Sequence, residues 1–283
     1  MRRTATGGRI ARQTLTAAGA LLLGAAACVS CAVARPEPGP TMVETSPPDA
    51  FLAPTDVIDA DHPRIVALAE QLTAGAVDDR ERAVRVHDFV RDEVRFGFQP
   101  EFYAVRASEV LSAGVGYCNT KSSLFIALLR AAGVPARPHF VEIDAGILRR
   151  LVDPGTAYVD HSFTEVWLDG RWVRTDSYIV DPALSAAART RLFAEGRAFG
   201  YGVHVDGTGS WTGTDDAFSQ CVEPIGESAY TRRDLGVHAD VLAFYRDASE
   251  PSNRRGLALR LLGRWAFPAA NRRAEAVRAR AGS

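Results

Sequence analysis

Lysine is almost missing from this chain. Lys121 is the only one, so positive charge is carried by arginine, which we read as a composition bias without functional weight. No Cys/His cluster has zinc-ligand spacing, and no glycine pattern matches a dinucleotide or phosphate loop. Calcium loops are missing too, so no metal or cofactor is expected. The basic stretches lack the interleaved aromatics of nucleic-acid grooves, which removes nucleic acid from the expected partners. Cysteine is scarce, with four in 283 residues. Cys28 and Cys31 lie near the N-terminus, which leaves Cys118 and Cys221 for the body. A disulfide between those two is one reading. An exported domain built on disulfides would carry a larger even set, which favours one of the pair doing chemistry. What is present, 47% hydrophobic and 24% charged residues, describes a soluble globular protein with ample core.

Residues 1–34 stand apart. Arg2, Arg3, Arg9 and Arg12 come first without an acid, then LTAAGALLLGAAACVSCAVA runs apolar and small, ending in Ala32-Val33-Ala34. That is the pattern of an export signal. Three readings stay open: cleavage after Ala34, lipid attachment at Cys28, or retention as a membrane anchor. Each places the body outside the cytoplasm, and the last two attach it to a membrane through its N-terminus. Residues 35–55, RPEPGPTMVETSPPDAFLAPT, are expected to form a proline-rich tether without regular structure. The folded domain then spans 56–252. Residues 253–283 are expected to be a basic amphipathic helix. This tail carries net +7, against −12 for residues 35–252. Opposite signs favour docking on its own domain over the alternative, contact with an anionic membrane.

Within the domain, DHPRIVALAEQLTAG has helical periodicity, with Asp61 as expected N-cap and Pro63 in the first turn. DDRERAVRVHDFVRDEV is a second amphipathic helix whose apolar stripe includes His87, expected to be a core histidine. VRFGF reads as a short strand and ASEVLSAG as a short helix. From Leu124 to Ala132 apolar residues wrap nearly the whole helix circumference, which belongs in the middle of a domain. Gly133 ends that helix and Pro135 prevents its return. PARPHFVEI, HSFTEVWL and RWVRTDSYIV read as strands, and a helix is expected from Pro182 to about Glu195. Loops and a short strand are expected over 200–213. Helix followed by antiparallel sheet predicts α+β architecture.

Cys118 stands at the mouth of the apolar helix, where unsatisfied N–H groups and the helix dipole favour a thiolate. Gly114 and Gly116 remove bulk beside it, and a nearby backbone N–H can serve an oxyanion. A nucleophilic thiol needs a base, to be chosen from His62, His87, His139, His161, His204 and His238. Asp169-Gly170 is a favoured pair for a two-residue type I′ hairpin. That loop pairs Leu168 with Arg171, Glu165 with Arg174 and Phe163 with Asp176, so His161 and Asp176 share a sheet face as diagonal neighbours. A cross-strand Glu165–Arg174 ion pair is expected. Cys118, His161 and Asp176 then take the roles of nucleophile, base and orienting acid.

The blocks GVGYCNTKSSLFIALLRAAGVPAR and HSFTEVWLDGRWVRTDSY resemble the core of the transglutaminase-like superfamily over roughly residues 80–182. The resemblance implies a papain-like α+β fold, with the nucleophile on a central helix packed against an antiparallel sheet. It puts Cys118, His161 and Asp176 on the three catalytic positions. Three sites depart from the pattern: Phe163 for a tryptophan, Asn119-Thr120-Lys121 for an acidic neighbour, and Ser177 for a proline. Gly116, Tyr117 and Gln99 are candidates for the cleft and oxyanion site, with Tyr117 either lining the cleft or packing behind it. Lys121 is expected in solvent, with support of the thiolate as the alternative, and Cys221 as a small apolar filler. The implied activity is an exported thiol-dependent amide or peptide hydrolase or acyltransferase. Its substrate would be a peptide or protein amide, a cell-envelope component among the choices. The alternative is a non-enzymatic peptide- or envelope-binding module on the same fold.

Overall fold

Local chemistry fixes the first helices. Pro63 takes the first position of α1 (Pro63–Thr73), so the cap falls on His62 rather than the expected Asp61; His62 Nδ1 accepts from Arg64 N–H at 3.2 Å. Asp78 caps α2 (Asp79–Glu93), accepting from Glu81 N–H at 2.8 Å. The chain is described over residues 48–247 and 253–279 in a computed structural model, so the signal reading of residues 1–34 lies outside the described residues. The ordered body starts earlier than expected. Pro48–Leu52 form a 3-10 turn inside the predicted tether, because Phe51 buries itself edge-on to Trp172 with the Arg137 guanidinium over its ring.

Strand β1 (Arg95–Phe96) pairs in parallel with β2 (Val115–Gly116), and α3 (Ala107–Ala113) connects them, ending at Gly114 in the left-handed conformation. Helix α4 (Cys118–Ala131) follows at once and is buried from Cys118 through Arg130. Its all-round apolar sequence is satisfied by α1, α2 and α3 on one side and sheet on the other. The sheet contains β3 (Ala136–Asp144), β4 (Tyr158–Leu168), β5 (Arg171–Thr175) and, late in the chain, β8 (Thr231–Val237). Their order is β5-β4-β3-β8, every pair antiparallel. Ser122 of α4 reaches Thr164 of β4 at 3.0 Å, and Thr164 reaches the Tyr178 hydroxyl at 2.7 Å, so the buried polar groups between layers are bonded to each other. Helix α5 (Pro182–Glu195) and the small β6 (Phe199–Gly200) and β7 (Val203–His204) hairpin lie between β5 and β8. A second apolar cluster, including Phe163, Cys221 and Tyr230, completes the core.

The β4–β5 hairpin has the predicted register, Leu168 opposite Arg171 through Thr164 opposite Thr175. Asp169 and Gly170 both have positive φ, 50° and 78°, as a type I′ turn requires. Two expectations fail here. Strand β5 ends at Thr175 instead of running to Val180, because Asp176 N–H turns to bond Ala217 O at 3.1 Å. The Glu165–Arg174 ion pair does not form. Glu165 instead bonds Arg137 (2.6 Å) and His139 (3.0 Å) on β3, and Arg174 pairs with Asp216.

After α6 (Val241–Arg246), helix α7 (Asn253–Arg278) returns across the β1–β2 region. Phe267 stacks on Phe98 at 5.0 Å, Asn271 bonds both Phe98 backbone groups, and Arg278 pairs with Asp181.

Lys121 corrects another expectation. It is fully buried, and Nζ donates to Val94 O at 2.5 Å instead of facing solvent. The reason is position: α4 is enclosed on every side. Burial drives its pKa down to about 7, with the Asp181 charge opposing and Arg278 reinforcing the shift. A lysine whose pKa falls on folding penalises the native state while both states are protonated, and that penalty fades between the folded and unfolded values. Urea unfolding should therefore show wild type gaining on Lys121→Met as pH rises from about 7 toward 10.5. A difference constant with pH would contradict the burial of the charge.

Candidate active site

Three elements converge at one end of α4. Cys118 is the first residue of that helix, so its sulfur sits among first-turn N–H groups that lack intrahelical acceptors. His161 comes from the part of β4 beyond the last β4–β5 pair, where departure of β5 leaves that strand edge open. Asp176 is the residue at which β5 departs. His161 Nε2 lies 2.8 Å from Asp176 Oδ2. That contact leaves Nδ1 for the Cys118 sulfur, which is the ring's other hydrogen-bond partner.

Asp176 is completely buried and its charge is met by backbone. Cys221 N–H donates to Oδ2 at 2.9 Å, Gln220 N–H reaches both oxygens at 3.2 and 3.3 Å, and Ser219 N–H bonds Oδ1. Ser219 Oγ also donates to the Asp176 carbonyl at 3.0 Å. These donors replace the water that burial removes from the carboxylate. The effect on His161 is large. Burial alone would lower its pKa, but the Asp176 and Cys118 hydrogen bonds outweigh that and raise it to about 10. At neutral pH the ring is an imidazolium held between carboxylate and sulfur.

The thiol has access. Cys118 and His161 line an apolar cleft with Phe98, Phe102, Tyr117 and Phe267. The cysteine keeps 9% exposure, enough to place it on the wall rather than behind it. A larger depression around Arg149, Arg150 and Arg273 has neither cysteine nor histidine on its walls.

Residues 66–177, which contain Cys118, His161 and Asp176, match the model of the transglutaminase-like superfamily. Over this segment the chain is similar to that superfamily's core. Two solved structures are similar to the chain. One, named as a candidate cysteine protease from Cytophaga hutchinsonii, is 19% identical, with 48% of this chain and 44% of that one covered and a TM-score of 0.38. The other, named as a candidate protease from Parabacteroides distasonis ATCC 8503, is 16% identical, with 45% and 24% covered and a TM-score of 0.33. The match thus spans less than half the length of either. No curated protein matches the chain.

The remaining sequence candidates fall in different places around the site. Tyr117 lines the cleft, stacked on Phe102 at 4.9 Å. Gly116 does not open the cleft: a Cβ there would meet Thr120 Oγ1 at 2.8 Å and Lys121 Cγ at 2.9 Å, so its smallness lets α4 pack close. Gln99 is buried away from the cleft wall, its Oε1 without a partner among the described residues. The glutamine at the wall is Gln220, whose Nε2 donates to Gly202 O at 2.5 Å. Cys221 is a buried free thiol, its pKa raised by burial, and it also supplies a backbone N–H to Asp176. Cys118 is free as well, so the disulfide reading does not hold. His87 is buried, as its stripe position predicts, with Nε2 2.8 Å from Ser177 Oγ. The serine that replaces the pattern's proline is thus a bonded member of the core.

Sequence reading missed Asp160, Gln220, Tyr245 and the 217–221 segment. Each reaches the site through tertiary contacts without a local motif; only the position of Asp160, one residue before His161, carried a signal.

Alkylation tests the pairing. Iodoacetamide should label Cys118 below neutral pH, where an ordinary thiol is inert, and His161→Ala should remove that acidic-range reactivity. Labelling of both proteins along an ordinary thiol curve would show that the imidazolium does not activate the sulfur.

Proposed function

We propose that the protein is a cysteine-dependent amide or peptide hydrolase that works through an acyl-enzyme on Cys118. The observation that carries this reading is the buried Asp176–His161 pair aimed at a helix-start cysteine on a cleft wall. In the first half, Cys118 Sγ bonds to the carbonyl carbon, the C–N bond breaks, and His161 gives its proton to the leaving amine. In the second half, water attacks the thioester carbon, its proton passes to His161, and the C–S bond breaks to release the acid. The Cys118 backbone N–H, at the positive end of α4, faces the oxyanion in both halves. A second amine in place of water would make the same centre an acyltransferase. We favour hydrolysis as the half-reaction that needs only water as acceptor. The composition of residues 1–34 supports action outside the cytoplasm.

Acid-quenched incubation with a peptide-amide library, read by intact-mass and peptide mass spectrometry, should find an acyl group on Cys118. Cys118→Ala should abolish it and lower turnover by about 10³-fold or more. His161→Ala should cost on the order of 10²–10⁴-fold. Equal hydrolysis by Cys118→Ala, or neither adduct nor turnover, would contradict the reading.

A further inference from the structure

The cleft opens directly beside Cys118 and His161. A cleft of this kind beside the nucleophile can take an apolar side chain. Its walls are nearly all apolar, with Phe98, Phe102 and Phe267 among the aromatic members and Ile143, Leu148 and Val152 among the aliphatic ones. Phe267 belongs to α7, so that helix contributes to the wall.

One carboxylate interrupts this apolar surface. Asp160 lies on the cleft wall and is half-buried. Its Oδ2 accepts from Tyr245 Oη at 2.6 Å and from Asn119 Nδ2 at 3.0 Å. Asn119 in turn accepts from Cys118 Sγ at 3.5 Å, so the carboxylate stands one side chain from the nucleophile. Asp160 Oδ1 accepts no hydrogen bond among the described residues, and it is not among the fully buried partnerless atoms. The internal bonds do not require a charge here, because an asparagine oxygen would accept from the same two donors. A negative group in an apolar, half-closed pocket calls for a cation from outside the protein.

We propose that the site takes the N-terminal residue of its substrate: an apolar side chain fills the pocket, and the free α-ammonium group pairs with Asp160 Oδ1. This rests on the acyl-enzyme reading above and adds the substrate class. An unblocked chain end sets a positive charge beside its own side chain, and Asp160 Oδ1 is the acceptor on this wall without a partner among the described residues. The reaction is then release of an apolar N-terminal residue. The carbonyl of that residue is attacked by Cys118, and the shortened peptide leaves as its amine.

The test uses coumarin amides of leucine, N-acetyl-leucine, glutamate and Ala-Ala-Leu with the full chain, and a leucine chloromethyl ketone to report on Cys118. Wild type should hydrolyse the leucine amide with kcat/KM at least tenfold above the N-acetyl, glutamate and extended substrates. Asp160→Asn should shrink the ratio of free to N-acetylated leucine to below threefold, whatever its total activity. Phe267→Ala, a variant that leaves the carboxylate in place, should raise Ala-Ala-Leu relative to leucine at least tenfold. Cys118-dependent turnover confined to blocked or extended substrates, or a free-to-acetyl ratio unchanged in Asp160→Asn, would overturn the substrate class and leave the hydrolase standing. No ketone adduct on Cys118 and no Cys118-dependent turnover of any member would overturn both.

Discussion

Asp176 is a carboxylate with no exposure to solvent, and the site is organised around meeting its charge. Removing an ion from water costs several kcal/mol unless hydrogen bonds replace hydration. Here three consecutive backbone N–H groups, from Ser219 to Cys221, and the His161 ring do so. Satisfying one carboxylate therefore fixes where β5 must end, how the 217–221 segment must run and which way His161 must face. Against the burial that would lower it, the Asp176 and Cys118 interactions raise the histidine's proton affinity, and the bond to Asp176 leaves the ring's other nitrogen for the sulfur.

Helix α4 supplies the other half. Its buried body, held by three helices and the sheet, makes its first turn a rigid platform, and the nucleophile stands on that turn. Gly116 belongs to this design through close packing beneath the turn. Lys121 shows how completely the helix is enclosed, since the chain's single lysine is placed where its charge is disfavoured. The cleft above the platform is walled by aromatic rings from distant parts of the chain, Phe98, Tyr117 and Phe267 among them, and stacking fixes their positions.

Much of this was legible in the sequence wherever a local rule decides the outcome. The all-round apolar run of α4, the Asp169-Gly170 turn and the register it imposes are short-range consequences of side-chain chemistry. That register brought His161 and Asp176 together on paper as it does in the fold. Long-range competition decided the failures. Glu165 had a cross-strand arginine available, but Arg137 and His139 on the other neighbouring strand hold it instead. Lys121 looked solvated because charge usually is, yet α4 leaves it no route to water. Phe51 read as part of a tether because its partner, Trp172, lies more than a hundred residues away. Gln220 and Asp160 carry no motif of their own, and only the folded chain sets them on the cleft wall.

The account turns on the protonation of one ring. Nitrogen-15 NMR of the His161 imidazole across pH, with Asp176→Asn as the comparison, measures it directly. The carboxylate and sulfur together predict an imidazolium that persists through neutral pH and titrates near 10, with the midpoint falling when Asp176 loses its charge. A neutral ring at pH 7 with a midpoint near 6.5, the same in both proteins, would contradict the claim that Asp176 arms the site.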